Sequence, residues 1–256
     1  MACLICEGMN AQQTIMQFDK PDMYEQYMGI EDVHRDWYRC ANCGHYHQDR
    51  NYKIEKLENI YKSGYRDKSF RGKDIGESYK EIMSIPWGES ENKNRAEWFV
   101  HKTFGGETLD IGAGIGVFPA LLKDYGYPVE CVEENEISKK FISETLGIKC
   151  YGELPTNEYW NVCLVHVLEH ITEPDLFLNR VRKICKRHLF VEVPDAREFA
   201  CLPKDSDEFN SCHVWFFTLQ NLITLIERNG FKVFEASRMF YPQRKLSRIL
   251  VLAVIQ

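Results

Sequence analysis

At 256 residues the chain has room for one full-sized core, or for a normal domain with a small satellite. A hydrophobic share of 44% and a charged share of 27% are ordinary for a soluble globular protein, and the formal charge of -6 supplies no overall basic face for a phosphate backbone. The opening Met1-Ala-Cys-Leu-Ile-Cys6 lacks the basic start and apolar run of a secretory leader. The most apolar stretch, 249–255, is far shorter than the ~20 residues of a membrane span. Ten cysteines in such a chain point to a reducing compartment, so the expected location is the cytoplasm.

Composition divides the chain into three. Residues 1–61 are rich in Cys, Tyr, Met and polar side chains and have no long apolar run, so they need a staple to hold a fold. Residues 62–90 are polar and punctuated by glycine and proline, which marks a connecting segment with one short helix near 76–83. From 91 to 256 strands and helices alternate. The patterning predicts helices at 94–104, 117–125, 137–146, 173–185 and 218–229, with strands at 108–111, 129–133, 148–151, 160–166, 189–193, 231–236 and 249–255. Such alternation implies a doubly wound, mainly parallel α/β sheet covered on both faces. Residues 195–216 interrupt it and are a candidate lid or acceptor-side insertion.

In the first unit, Cys3-x-x-Cys6 and Cys40-x-x-Cys43 are the two halves of a tetrahedral thiolate shell. Gly8 and Gly44 follow them and suit the turn that each knuckle needs. Four thiolates leave no open position, so the expected zinc is structural and the module zinc-ribbon-like. His45 and His47 decorate the second knuckle. Of the other thiols, Cys131, Cys150 and Cys163 fall in strands and read as core, whereas Cys212, beside His213 in the insertion, reads as a surface thiol, with a place lining the site as the alternative.

The most informative stretch is Thr108-Leu-Asp-Ile-Gly-Ala-Gly-Ile-Gly116. A strand runs into Asp110, then Gly112, Gly114 and Gly116, and a helix follows at once. Glycines here permit a tight turn and let a ligand approach the backbone. Glu133 closes the next strand about twenty residues on, where a carboxylate accepts from ribose hydroxyls. That spacing alone also suits a dinucleotide. Asp110 argues otherwise, because a carboxylate beside the loop opposes a pyrophosphate and favours a ligand carrying an ammonium and a sulfonium.

The run 109–116 resembles the first motif of class I methyltransferases, and Val129-Glu-Cys-Val-Glu133 resembles their second strand with its ribose-binding acid. Val165-His-Val-Leu-Glu-His-Ile171 is similar to the close of their fourth strand, and Asn229-Gly-Phe231 to the start of a late one. The resemblance covers roughly 90–256. It implies S-adenosylmethionine as cofactor and a Rossmann-like seven-stranded sheet whose last strand is antiparallel. It also implies a role for Arg95 as the fork that holds the cofactor carboxylate, with a solvated helix residue as the alternative. The cysteine module, Ile60-Tyr61 and Tyr65 together resemble methyltransferases of deoxysugar and surface-polysaccharide pathways. The implied acceptor is therefore a saccharide, nucleotide-activated sugar or related small molecule, methylated at a hydroxyl or an amine. Relatives of that kind carry a further C-terminal domain, and the sequence stops at the end of its α/β core, which disfavours carbon methylation.

Methyl transfer from a sulfonium is an in-line displacement in which the enzyme mainly positions the acceptor. A hydroxyl acceptor also needs a base with a pKa near neutrality. His213, in the insertion, is the expected base, with a histidine that merely anchors the insertion as the alternative. His166, at the end of the fourth strand, is expected to line the site, and His170 to bond structurally. Two other functions compete. A zinc-containing RNA base methyltransferase would use basic clusters such as Arg180, Arg182, Lys183, Lys186 and Arg187, or Arg238, Arg244, Lys245 and Arg248; the acidic total disfavours nucleic acid. A non-catalytic cofactor-binding partner would not need Asp110, the three glycines and Glu133 intact.

Overall fold

The computed structural model describes residues 3–8, 12–54, 56–57, 72–242 and 245–256. Ile60, Tyr61, Tyr65, Arg244 and much of the expected connecting segment lie outside them.

The N-terminal unit is an antiparallel sheet of β1 (Gln12–Phe18), β2 (Arg35–Cys40) and β3 (Tyr46–Arg50), with a short helix α1 (Met23–Tyr27) between the first two strands. Asp22 caps α1 by accepting from the amides of Tyr24 and Glu25, and Glu25 returns a bond to the Asp22 amide. Helix α2 (Ile75–Ser84) follows, close to the predicted 76–83. Then come α3 (Glu91–Thr103), β4 (Thr108–Ile111), α4 (Val117–Asp124), β5 (Val129–Val132), α5 (Glu136–Lys140), β6 (Lys149–Tyr151), β7 (Tyr159–Val165), α6 (Pro174–Ile184) and β8 (Cys185–Pro194). The chain ends with β9 (Trp215–Phe216), α7 (Leu219–Arg228), β10 (Phe231–Tyr241) and β11 (Leu246–Ile255).

Seven strands form the main sheet in the order β10-β11-β8-β7-β4-β5-β6. Strands β6, β5, β4, β7 and β8 run parallel, and β11 pairs antiparallel with both β8 and β10. This is the doubly wound class I methyltransferase sheet with its reversed last strand. Its two faces carry separate cores. Leu164, Leu178, Val191, Leu222 and Phe231 lie in one, while Phe99, Phe118, Cys163, Phe190 and Leu250 lie in the other. Among the described residues no helix is long and apolar enough to cross a membrane.

Two details depart from the sequence reading. The insertion at 195–216 is no free lid. Its last residues form β9, which adds to β3 as the fourth strand of the N-terminal sheet, and its Phe199, Phe209 and Phe216 surround Trp37, which is 0% exposed. The module thus borrows its core from the insertion, so its cohesion comes from aromatic packing as well as from its thiols. Cys212 is accordingly buried rather than on the surface, because the main chain around it is strapped to the module. Arg50 donates to the Ser211 carbonyl at 2.6 Å and Arg35 to the Phe209 carbonyl at 3.1 Å.

Candidate active site

The glycine loop sits where β4 hands the chain to α4. Gly112, Gly114 and Gly116 all have positive φ. A Cβ on Gly112 would stand 2.7 Å from Val167 Cγ2, and one on Gly116 would stand 2.7 Å from Leu146 Cδ1, so both positions require glycine by space as well as by conformation. The Gly114 amide donates to Glu133 at 2.7 Å, and the Asn135 amide donates to its other oxygen at 2.9 Å. The loop and the acid thus form one preorganised unit.

Asp110 is buried at the end of β4, and its Oδ1 has no hydrogen-bond partner. Burial pushes its pKa up to about 8, the nearby Glu133 charge adds to that, and Arg95 opposes it. A buried bare carboxyl oxygen at the mouth of a glycine loop calls for a cationic or hydrogen-bonding guest.

Beyond Asp110 opens a cavity of about 1350 Å³, more than the ~300–1,000 Å³ of a single small-ligand site. It has room for a cofactor and an acceptor together. Its lining includes the loop, Asp110 and Glu133, which we take as the cofactor end. The other is lined by His166, Glu169, His170, Cys212 and His213, and the N-terminal module closes part of the wall with Tyr24, Ile54 and Leu57.

Arg95, on α3, lines the cavity but is already engaged. Its guanidinium forks onto Glu192 near the end of β8, through Nε to Oε2 at 2.9 Å and through Nη2 to Oε1. Nη1 donates to Asn92 at 2.7 Å. The alternative of a solvated residue does not hold, since Arg95 is buried. Burial would raise the Glu192 carboxyl, but Arg95 and His166 hold it down at about 2.

His166 follows β7 with φ +55, a left-handed conformation that costs a non-glycine residue roughly 1–3 kcal/mol. The bonds that hold it there are visible. Its Nδ1 lies 3.1 Å from Glu169 and its Nε2 3.2 Å from Glu192, while its amide donates to the Glu192 carbonyl at 2.9 Å. Burial and Arg248 oppose a charge on the ring, and the bonds to the two carboxylates outweigh them, raising its pKa. A ring clamped between two acids, with Arg95 Nη2 3.2 Å from its Nε2, has both nitrogens engaged and so lines the site without serving as a base.

His213 lies across from it, with Nδ1 2.7 Å from the Glu208 carbonyl. His170 has the same arrangement, with Nδ1 3.0 Å from the Cys212 carbonyl, and the two rings stand 4.7 Å apart. Burial lowers the His170 pKa to about 4, and His213 adds to that effect. Glu192, Glu169 and Glu208 were not singled out as functional from sequence. Glu192 left a signal, because it is a charge inside the apolar run 189–193.

In the module the four cysteine sulfurs lie within 4.8 Å of one another. Cys3 Sγ is 3.5 Å from Cys43 Sγ and Cys6 Sγ 3.7 Å from Cys40 Sγ, near the roughly 3.8 Å edge of a tetrahedron with ~2.3 Å metal–sulfur bonds. The knuckles rest on α7, where Asn221 donates to the Cys43 carbonyl at 3.1 Å and Arg228 to the Ile5 carbonyl at 3.1 Å. His45 is buried against Trp215, and burial lowers its pKa to about 3. Among the described residues of the C-terminal basic set, two are tied up by acids. Arg248 is buried between Glu208 at 2.9 Å and Glu91 at 3.2 Å, and Arg238 pairs with Asp195.

Comparison with known proteins agrees with this architecture. No curated protein matches the chain in sequence. Among solved structures it is similar to the 1,6-didemethyltoxoflavin-N1-methyltransferase of Burkholderia thailandensis, with TM-score 0.57, 14% identity, and 85% of this chain and 98% of that one covered. It is also similar to the magnesium protoporphyrin IX methyltransferase of Synechocystis PCC 6803, with TM-score 0.60, 13% identity, and coverage of 80% and 100%. A glycopeptide N-methyltransferase gives TM-score 0.53 at 15% identity, covering 69% of this chain and 97% of that one. The family model described as "Methyltransferase domain" matches residues 90–236, more than half of the chain, so the protein belongs to the methyltransferase-domain family and is a methyltransferase built on the class I fold.

Proposed function

We propose that the protein transfers the methyl group of S-adenosylmethionine to a hydroxyl or amine of a small molecule of the saccharide class. The observation that carries the cofactor assignment is the bare Oδ1 of buried Asp110 beside the glycine loop. An ammonium fits that oxygen, and Glu133 retains acceptor capacity for ribose hydroxyls beyond its two loop amides. The solved neighbours from Burkholderia thailandensis and Synechocystis contain S-adenosylhomocysteine, which supports the same ligand here.

The acceptor takes the far end of the cavity. Carboxylates and amides such as Glu91, Asn92, Asp207 and Asn210 line the walls there, as a polyhydroxyl ligand requires. A phosphate or nucleotide portion of the acceptor would reach Arg180 and Lys183, since Arg95 and Arg248 are consumed by Glu192 and Glu208. In the transfer, the acceptor lone pair bonds to the methyl carbon, the sulfur keeps the pair of the broken S–C bond, and the acceptor gives up its proton. His213 is the group placed to take it. Its Nδ1–H is held by the Glu208 carbonyl, which leaves Nε2 as the basic nitrogen. His166 shapes the site between its two carboxylates. The four module thiolates hold a structural zinc ion, and ten unbridged cysteines support a reducing, cytoplasmic setting.

Calorimetry on zinc-replete protein tests the cofactor, with Asp110→Ala as control. Micromolar binding of S-adenosylmethionine and S-adenosylhomocysteine, lost in the variant, is the expected result. If neither ligand binds, the proposal is wrong. Methyl acceptance by nucleotide-activated and free sugars then tests the acceptor class.

A further inference from the structure

We propose that Glu169, His170 and His213 form a second metal site, which takes a divalent first-row transition-metal ion at the acceptor end of the cavity. One ligand atom from each of the three lies within 4.8 Å of the others. Ligands of one ion with ~2.1 Å bonds stand roughly 3–4 Å apart, a spacing that falls inside that limit.

Two features distinguish this cluster from a chance meeting of polar groups. The first is the outer support of both rings. His170 Nδ1 faces the Cys212 carbonyl at 3.0 Å, and His213 Nδ1 faces the Glu208 carbonyl at 2.7 Å. A histidine that ligates a metal characteristically donates its other N–H to a carbonyl or carboxylate, which fixes the tautomer and aims the lone pair. Here the insertion provides that support twice, from carbonyls four residues apart in one strap. The second feature is Glu169 itself. It is 0% exposed, its Oε1 accepts from His166, and its Oε2 has no hydrogen-bond partner. A bare carboxylate oxygen buried beside two oriented imidazoles is a ligand atom awaiting a cation.

Two imidazoles and one carboxylate suit ions such as Mn(II), Fe(II), Co(II) or Zn(II). Three protein ligands leave coordination positions open, in contrast to the closed thiolate shell of the module. All three residues line the cavity that receives the acceptor. The inference rests on the reading of that end as the acceptor site and sharpens it toward ligands that offer an oxygen to a metal. A cation there lowers the pKa of the acceptor hydroxyl, as such ions do for bound water, and the proton leaves to cavity water. With an ion bound, His213 is a ligand, and its role as base belongs to the metal-free protein alone.

The test is a Mn(II) titration of protein loaded with one zinc ion per chain, which the thiolates hold, followed by electron paramagnetic resonance, since Mn(II) does not compete for thiolate sites. The expected result is one Mn(II) bound per chain. His213→Ala, His170→Ala and Glu169→Gln should each weaken it by more than about a hundredfold, beyond the ~10–100-fold loss of an outer-shell contact. Glu169→Gln keeps the side-chain shape and an acceptor for His166, so it disturbs the fold least. Calorimetry with S-adenosylmethionine on the same samples separates the two readings. Variants that keep cofactor binding and lose Mn(II) support the site. A wild-type protein that binds no Mn(II) at millimolar concentration, or folded variants that bind it unchanged, would overturn it. Loss of cofactor binding by the wild type would count against the methyltransferase reading alone.

Discussion

At the cofactor end of the cavity, one strand, one loop and the start of one helix supply Asp110, Gly112, Gly114 and Gly116, and the next strand adds Glu133. The end proposed for the acceptor draws His166, Glu169 and His170 from beyond β7, His213 from the insertion, and Tyr24, Ile54 and Leu57 from the module, with Glu192 of β8 behind His166. The first end is a local device that any chain with this motif can form. The second exists only once β9 has joined β3 and the insertion has packed around Trp37. Acceptor specificity can therefore change with the module and insertion while the cofactor end stays the same.

Removing the proposed zinc ion should separate the two ends most strongly. Structural zinc is worth ~10 kcal/mol or more in isolated finger peptides. A strong chelator, or Cys40→Ser, should expose the module to limited proteolysis and reduce acceptor kcat/KM by more than about tenfold. Binding of S-adenosylmethionine should stay within about threefold, and an equal loss of both would show that the two ends fold as one unit.

Arg95→Ala comes next. It leaves Glu192 buried without its cation, which costs about 3–5 kcal/mol when one partner of a buried pair is removed. Thermal unfolding should register a fall of several degrees. If Arg95 also holds the cofactor carboxylate, the dissociation constant for S-adenosylmethionine rises with it; if Arg95 serves only Glu192 and His166, that constant barely moves.

Asp110→Asn should weaken S-adenosylmethionine by about a hundredfold, or ~2.8 kcal/mol. The wild type carries a pH signature as well. Its free-state carboxyl titrates at about 8, and the complex needs the ionised form. Affinity should therefore rise up to tenfold per unit from pH 6 to 8 and level off above, whereas Asp110→Asn should be flat. Stability of the free protein runs the other way. Between the unfolded carboxyl pKa of ~4 and about 8, the folded state binds the extra proton, so this group's contribution falls as pH rises. Chemical denaturation at several pH values checks the sign.

The smallest effect expected is at Thr218, whose side chain caps α7 by accepting from the Asn221 amide at 3.2 Å. Thr218→Ala should cost ~1 kcal/mol and a few degrees of melting temperature. Because α7 carries the cysteine knuckles, release of the proposed zinc ion in a metal-indicator assay should also be faster than in the wild type.

Legibility followed the same divide. The core strands and helices were readable because burial on both faces of a parallel sheet leaves apolar runs broken by caps and glycines, as at Thr218 and Gly230. The thiolate quartet was readable because its ligands come in adjacent pairs. Cys212 was misread as exposed because nothing in its neighbours reveals that residues 195–216 fold under the module. The partners of Arg95 were out of reach for the same reason, since Glu192 lies almost a hundred residues away.

By itself, then, the sequence determined the class I sheet, the glycine loop with Asp110 and Glu133, and the pairing of Cys3 and Cys6 with Cys40 and Cys43. These depend on contacts near in sequence or on periodic burial, which a linear pattern records. Only the tertiary structure decided that the insertion completes the N-terminal sheet, that His166 is clamped between Glu169 and Glu192, and that His170 and His213 meet beside a bare carboxylate oxygen. Those arrangements come from burying polar groups from distant segments against one another. The energy of each partner depends on the other being in place, so neither segment shows it alone.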